Sequence, residues 1–294
     1  MGDHHVHTTP DADATRRFAH ALLDDLAALE TLVRDGRLER DVQRIGFEQE
    51  CFLVDADGRP AHCAPQLLAA LDPARFTSEI GRFNLEFGVD PLDLRAGALR
   101  TLEADVRRGL DDARAAARRH DADVVLAGIL PSITRADLTR AALSPGPRYA
   151  ALDARLVALA GGAIRTSIQG EDDLQLELDS VMLEACNTSI QVHLQVDPSR
   201  LVAVYNLAQL ATAPVLAVAA NSPLLLQRRL WHESRIPTFE QSVDARSGAD
   251  RARGAWQRVH FGDAWVRGDI LDLYRDQIAR HPVVLTRELD EVAT

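Results

Sequence analysis

One segment near the start of the sequence, residues 46–55, alternates apolar and polar side chains and constrains the fold more than any other. Successive side chains of a β-strand point to opposite faces, so Phe47 and Cys51 face one side while Glu48 and Glu50 project together from the other. Adjacent carboxylates repel each other unless a positive charge lies between them, and near a core a divalent cation commonly fills that place. The solvent-facing side of an ordinary half-buried strand explains the same pattern.

The composition is that of a globular protein and excludes several classes of function. The 294 residues suit one large domain or two modest ones, with 46% hydrophobic and 26% charged residues. A formal net charge of -11 disfavours nonspecific binding to nucleic acid. The sequence contains no lysine, which excludes a lysine nucleophile, a Schiff base and the lysine-bearing phosphate-binding loop.

The cysteines and the lengths of the apolar runs indicate the cellular compartment of the protein. Three cysteines form no metal-binding spacing, and their odd number argues against a disulfide framework. Reduced thiols are typical of the cytoplasm. Residues 1–10 do not resemble a secretion signal, and no apolar run reaches the roughly 18 residues that span a bilayer. We therefore predict a cytoplasmic protein that does not bind membranes.

The chain reads as one domain with helices and strands intermixed. Residues 1–12 are predicted to be a flexible tail, whose His4, His5 and His7 are more simply solvated than metal-bound, and residues 13–294 a single domain. Apolar spacing of 3.6 residues predicts helices, and alternation or a short apolar run predicts strands. The predicted helices are 13–35, 64–71, 96–120, 148–159 and 200–220, and the predicted strands are 42–55, 76–89, 123–130 and 187–196.

Three of these strands share a pattern, in which one face is apolar and the other carries polar side chains able to bind metal or donate hydrogen bonds. If they pair in one antiparallel sheet, the polar faces merge into one concave surface, which is unstable without cations. Oxygen ligands with one imidazole favour Mg2+ or Mn2+, and these ions suit phosphate substrates. The alternative is a solvated sheet face. The polar residues are Glu48 and Glu50; Asn84 and Glu86; and Gln191, His193 and Gln195.

Five short motifs, in order, resemble the glutamate–cysteine ligases, in the branch shared by plant-type enzymes and bacterial carboxylate–amine ligases. They are residues 46–50, 84–87, 189–194, 220–223 and 230–237. The resemblance covers about residues 42 to 246. It implies an α+β fold similar to glutamine synthetase, with an antiparallel sheet forming a funnel and helices packed outside.

The resemblance also implies a reaction. ATP phosphorylates the γ-carboxylate of glutamate, and the amine of cysteine attacks the acyl phosphate, giving γ-glutamylcysteine for glutathione biosynthesis. The implied cofactors are ATP and Mg2+ (or Mn2+), and the partners are small-molecule substrates. The sequence leaves the amine and the oligomeric state open.

The same resemblance assigns candidate site residues. Metal ligands are expected at Glu48, Glu50, Glu86 and His193, and contacts to the nucleotide at Gln191 and His193. A hydrogen-bonded sheet histidine remains the alternative for His193.

Arginine is the expected ligand for the substrate carboxylate or the transferring phosphate, because its planar fork matches both. Arg235 and Arg246 are the catalytic candidates, since both follow the turn at residues 221–223, and Arg82 is a weaker one. A surface role is the alternative for any single arginine. Trp231 is expected to pack rather than to stack on adenine.

Three departures from the family pattern qualify these expectations. Relatives commonly have a second His or an Asn near Gln191 and His193, which leaves the identity of the ligands open. Gln49 stands where relatives usually have Glu, and it is expected to point to the core side. Relatives continue to a further strand with an acidic ligand and an arginine, which is not found after Trp265, so we expect a shortened or C-terminally incomplete chain. The competing functions are a noncatalytic nucleotide- or amino-acid-binding relative and a metal-dependent hydrolase. Loops at 172–173 and 248–254 are candidates for closing over substrate.

Overall fold

The computed structural model describes residue 6 and residues 12–286. The predicted flexible tail, including His4, His5 and His7, therefore lies almost entirely outside the described residues, and its nature stays a prediction. The mixture of helices with antiparallel sheets confirms the predicted α+β class.

Eight α-helices and nine strands are assigned within the described residues. The helices are α1 Ala12–Arg34, α2 Ala64–Leu68, α3 Ala98–Ala117, α4 Pro147–Leu159, α5 Leu201–Ala219, α6 Arg235–Ser242, α7 Gly248–Ala252 and α8 Ile270–Arg280. The strands are β1 Arg44–Val54, β2 Phe76–Ser78, β3 Asn84–Asp93, β4 Asp123–Val125, β5 Ile164–Gln169, β6 Asp173–Leu178, β7 Ile190–Leu194, β8 Leu224–Leu225 and β9 Arg228–Arg229.

The main sheet is antiparallel and is organised around β1. One edge of β1 pairs with β3, which pairs in turn with β2. The other edge is shared, since β7 pairs with residues 45–49 and β4 with residues 52–54. The sheet is open and does not close into a barrel.

Two hydrophobic cores lie on opposite faces of this sheet. Cys51, Leu85 and Phe87 point to one face and pack against α2 and α3. Phe52 points to the other face, where α4 and the separate β5–β6 hairpin pack. Glu48 and Glu50 share the face of Phe52, because they lie four and two residues before it on the same strand. The acidic side chains therefore lie beside the second core.

The predicted strand 76–89 is wrong as a single element. It forms two strands, β2 and β3, which pair with each other antiparallel. The intervening turn contains Gly81, where an added Cβ would clash with the side chain of Asn84. β3 also continues past the predicted end at residue 89, through Pro91 to Asp93. Its pairing with β1 has a register shift opposite residues 45–47. The turn was missed because the alternation was taken only from Phe83, Leu85 and Phe87, which all lie after Gly81.

Other predicted elements differ in extent or in packing. The predicted strand 123–130 is assigned only as Asp123–Val125. From its amphipathic pattern, helix α1 was predicted to pack against a sheet, but its main neighbour is α8 and it buries no residue. The strand β5 was not predicted, although its buried and exposed residues alternate throughout.

Helix α5 and strand β7 are unusually exposed. No residue of α5 is buried, and Ile190, Val192 and Leu194 of β7 are each more than half exposed. In the described part of the chain, one helix, covering residues 198–219, is long and apolar enough to cross a membrane by length and composition, with a mean hydropathy of 1.7. The sequence analysis considered uninterrupted apolar runs, whereas this helix reaches its average with several polar residues and one proline included, so the absence of membrane binding stays a prediction.

Candidate metal site

The strand register brings the predicted acidic residues to one face of the sheet. Glu50 of β1 lies directly opposite Glu86 of β3, and Glu48 lies opposite Gln191 of β7. Residues paired in this way project to the same side of an antiparallel sheet. The polar side chains of three strands that are distant in sequence thus form one continuous surface, as the alternation predicted.

Glu50 has the most defined environment of these carboxylates. Its Oε2 accepts hydrogen bonds from the backbone N–H of Ser189 at 2.7 Å and from the Ser189 hydroxyl at 3.1 Å. Burial raises the pKa of Glu50, and the nearby Glu86 charge raises it further, whereas the Ser189 donors and Gln191 lower it. Residues just before β7 therefore hold this carboxylate in place.

Two further carboxylates, which the sequence analysis missed, belong to the same cluster. Glu79 lies in the turn after β2, and burial, followed by a hydrogen bond with Glu86 and repulsion from Glu184, raises its pKa to about 10. Burial, followed by the charge of Glu50, raises the pKa of Glu184 to about 8. Glu79 lies in the turn that contains Gly81, and Glu184 lies before β7. Neither belongs to the alternating apolar and polar residues from which the candidate ligands were chosen.

The chemistry of these donors fits a hard divalent cation. Neighbouring carboxylates help to raise the pKa values of Glu50, Glu79 and Glu184, which is the situation that a bound cation relieves. Among the described residues, however, no three His, Cys, Asp or Glu side chains are already arranged to hold an ion. Three of the four carboxylates have protein partners instead: Glu79 shares a hydrogen bond with Glu86, and Glu50 accepts from Ser189. Metal binding therefore requires these side chains to exchange partners.

His193 and Glu48 form a separate pair at the edge of the cluster. Their side chains approach to 3.4 Å, between His193 Nε2 and a Glu48 carboxylate oxygen, and His193 is half exposed. Gln191 is also exposed. These side chains are thus accessible on the surface where the sequence placed nucleotide and metal contacts, and their assignment as ligands stays a prediction.

Asn84 does not display its side chain on this surface. It is only 2% exposed, and neither its amide nitrogen nor its amide oxygen has a hydrogen-bond partner. It lies under the turn that contains Gly81, close to Ala185. Gln49 behaves as expected, since it is buried on the other face and donates to the carbonyl oxygen of Glu50.

Both arginines predicted to be catalytic have their guanidinium forks engaged within the protein. Arg235 donates from Nε and Nη2 to the two carboxylate oxygens of Glu233, at 2.6 and 2.8 Å. Arg246 donates in the same way to Asp244, at 2.8 Å for each bond. Substrate contacts by these arginines remain predictions, but the bidentate edge of each fork is already occupied.

The remaining candidates are also placed. Arg82 is partly buried and its Nε has no partner. Trp231 is half exposed and donates from its indole to the carbonyl oxygen of Gln169 at 2.7 Å. Of the two candidate closing loops, Asp172 is tied to Arg229 by several hydrogen bonds, and residues 248–252 form α7.

Comparison with known proteins identifies one family. The sequence profile of glutamate-cysteine ligase family 2 matches residues 44–267, which include β1, β3, β7 and the segment that carries Glu233 and Arg235. No curated protein matches the chain significantly.

Proposed function

The chain belongs to glutamate-cysteine ligase family 2, and from this premise we propose that it is an ATP-dependent ligase that joins the γ-carboxylate of glutamate to the amine of cysteine. The observation that carries the proposal is the convergence of Glu48, Glu50 and Glu86 on one open face. The triphosphate of ATP and the attacking carboxylate are both anionic and repel each other. A ligase of this kind therefore needs an acidic surface that binds a divalent cation between them.

The reaction has two steps. An oxygen of the γ-carboxylate attacks the γ-phosphorus of ATP, the bond to the bridging oxygen breaks, and ADP leaves with the electron pair. The amine nitrogen, having lost a proton, then attacks the acyl carbon. The carbon–oxygen bond to phosphate breaks, which yields the γ-amide and inorganic phosphate.

The residues of the acidic cluster have defined roles in this proposal. Glu50, Glu79 and Glu86 would hold Mg2+ in their ionised forms, with Glu48 and His193 at the edge. When bound, the metal shields the phosphate oxygens from the incoming carboxylate. Gln191, which is neutral and exposed, would contact the nucleotide without repelling it.

The reaction is tested with purified protein, ATP, Mg2+, glutamate and a panel of amines that includes cysteine. We expect ADP formation that depends on both glutamate and cysteine, with γ-glutamylcysteine detected by mass spectrometry. A different amine as the best substrate would correct the proposed specificity and keep the reaction class. Absence of ADP with every amine, with Mg2+ and with Mn2+, would contradict the ligase. Because ATP, Mg2+ and reduced cysteine are available together in the cytoplasm, we propose that location.

A noncatalytic relative that binds nucleotide is the second candidate. The engagement of both predicted arginines with Glu233 and Asp244 favours it, since the Nε–Nη2 edge of each guanidinium is already bound to a carboxylate. Calorimetry that detects ATP binding, together with the absence of turnover for every amine, would select this candidate. A metal-dependent hydrolase would instead form product without ATP.

A further inference from the structure

The contacts of Arg235 point away from a direct role with substrate. We propose that Arg235 and Glu233 form a brace, meaning this ion pair and its contact to Thr188, which fixes the metal ligand Glu50 through the backbone at Thr188 and Ser189. Arg235 is then a positioning residue. The proposal rests on the proposed function only in treating Glu50 as a metal ligand.

The first link of the brace joins α6 to the segment before β7. Arg235 is the first residue of α6, and its Nη1 donates to the carbonyl oxygen of Thr188 at 3.0 Å. Its Nε and Nη2 each donate to Glu233, so hydrogen bonds on all three nitrogens fix the plane of the guanidinium. The position of Thr188 is therefore tied to the ion pair.

The second link joins this segment to the acidic cluster. Ser189, the next residue, donates its backbone N–H and its hydroxyl to Glu50 Oε2 at 2.7 and 3.1 Å. Because the carbonyl held by Arg235 and the N–H that holds Glu50 belong to the same planar peptide group, between Thr188 and Ser189, a shift of this group changes the direction of the Ser189 donors. The chain of contacts from Glu233 to Glu50 is continuous.

The surroundings leave the brace little freedom. Glu233 is buried and also accepts a hydrogen bond from Ser222, which is fully buried, at 2.6 Å. Gly128 accepts a hydrogen bond from the Thr188 amide at 3.0 Å. A Cβ on Gly128 would lie 2.8 Å from Arg235 Nε and closer still to Asn221, so only glycine lets Arg235 cross the backbone here. The residues of motif 220–223 thus serve to place Arg235.

The experiment compares the full-length chain with three substitutions. Arg235→Gln removes the brace, Gly128→Ala displaces Arg235 without changing charge, and Arg140→Gln is the control. Arg140 also donates to a buried carboxylate, that of Asp153, at 2.8 Å, but it has no described contact with the Glu50 cluster. Mn2+ affinity is measured by electron paramagnetic resonance, and exchange of backbone amides in residues 186–191 is measured by mass spectrometry.

We expect Arg235→Gln and Gly128→Ala each to lower Mn2+ affinity by about tenfold, the low end of effects seen when groups that orient metal ligands are removed. Exchange in residues 186–191 should accelerate in both. Arg140→Gln should lower the melting temperature to a similar degree while leaving Mn2+ affinity and this exchange unchanged, which separates positioning from general destabilisation.

Two results would overturn the proposal. One is wild-type Mn2+ affinity in Arg235→Gln, and the other is unchanged exchange of residues 186–191 in that variant. If the wild-type protein binds no Mn2+, the metal site of the proposed function fails, and the exchange data alone then decide whether the brace exists. If Arg235→Gln does not fold, Gly128→Ala gives the same two measurements.

Discussion

Three residues of the acidic cluster already have hydrogen-bond partners within the protein. Glu79 and Glu86 share a hydrogen bond, which requires one of the two carboxyls to be protonated, and Glu50 accepts from Ser189. Binding of a metal ion to the cluster would therefore displace a proton and break these internal hydrogen bonds. Metal affinity and proton release are linked in such a site, because the metal binds only the ionised ligands.

Substitution of Glu86 tests whether this side chain binds metal or supports the fold. We expect Glu86→Ala to abolish Mn2+ and Mg2+-ATP binding while leaving the melting temperature within a few degrees of wild type. The removed side chain is partly exposed and its neighbours are like-charged carboxylates, so its loss leaves no unpaired cation. Glu103→Ala on the exposed side of α3 is the matched control. Retained Mg2+-ATP affinity in Glu86→Ala, measured by calorimetry, would remove Glu86 from the site.

The raised pKa of Glu79 predicts how stability depends on pH. The folded protein keeps the Glu79 proton up to a pKa of about 10, whereas an ordinary glutamate has lost it above about 4.5. Since the folded state then binds more protons than the unfolded state, this group lowers the free energy of unfolding progressively as pH rises between these values. The groups that face it are Glu50, Glu86, Glu184 and Tyr149.

This dependence is measured as a difference between wild type and Glu79→Gln, both in chelator. Chemical denaturation from pH 5.5 to 8.5 should show wild type losing stability relative to the variant, because glutamine does not ionise. Parallel curves would mean that Glu79 is ionised in the folded protein. Saturating Mg2+ should reduce the slope of wild type alone.

Among the elements, α3 and β3 approach so closely that a glycine separates them. An added Cβ on Gly109 of α3 would clash with the Phe87 ring and would lie 2.9 Å from Arg75 Nη2. Phe87 is fully buried between α3 and the rest of its core. The glycine is therefore required by packing, against its low propensity for a helix interior.

The substitution Gly109→Ala tests this close contact. Alanine would gain about 1 kcal/mol of helix propensity. Overpacking a filled core typically costs about 1–3 kcal/mol, so we expect a net loss of stability in chemical denaturation. Gly248→Ala in α7 is the control, since nothing lies within 4 Å of its added Cβ. Stabilisation by Gly109→Ala would show that β3 and α3 are farther apart in solution.

For the whole molecule, the notable feature is the uneven distribution of apolar surface. Two cores are well filled on either side of β1, yet the strand β7 and the helix α5 that follows it leave large apolar side chains in solvent. Phe47 and Leu99, with Val106 and Leu110, line an apolar groove between β1 and α3 on the same face as Ile190. Exposed apolar patches of this kind are unusual on monomeric proteins.

The exposure of α5 is itself testable. Leu210 is 60% exposed on this helix, so Leu210→Gln should change the melting temperature by no more than about one or two degrees, as is usual for surface positions. Leu225→Gln, at a fully buried position, should destabilise strongly. A large loss of stability in Leu210→Gln would show that α5 is covered in solution, and analytical ultracentrifugation would then show whether a second copy covers it.

Properties that are local to a single strand could be predicted from the sequence. Alternation of side chains fixed which residues of β1, β3 and β7 share a face, because this property is local to a strand. The convergence of Glu48, Glu50 and Glu86 followed once the strands were assumed to pair. The family was also recognisable from short motifs, and the profile match over residues 44–267 confirms it.

Local pattern could not supply contacts between segments far apart in the chain. Glu79 and Glu184 join the cluster only because a turn and a short helix fold beside Glu50, and Asn84 is covered only because Gly81 lies over it. Arg235 looked like a substrate ligand in the sequence, but tertiary packing places Glu233 against its fork. The sequence by itself determined the faces of the strands and the family, since both are written in neighbouring residues. Only the tertiary structure decided which charges are already paired, because pairing depends on distances that spacing along the chain does not contain.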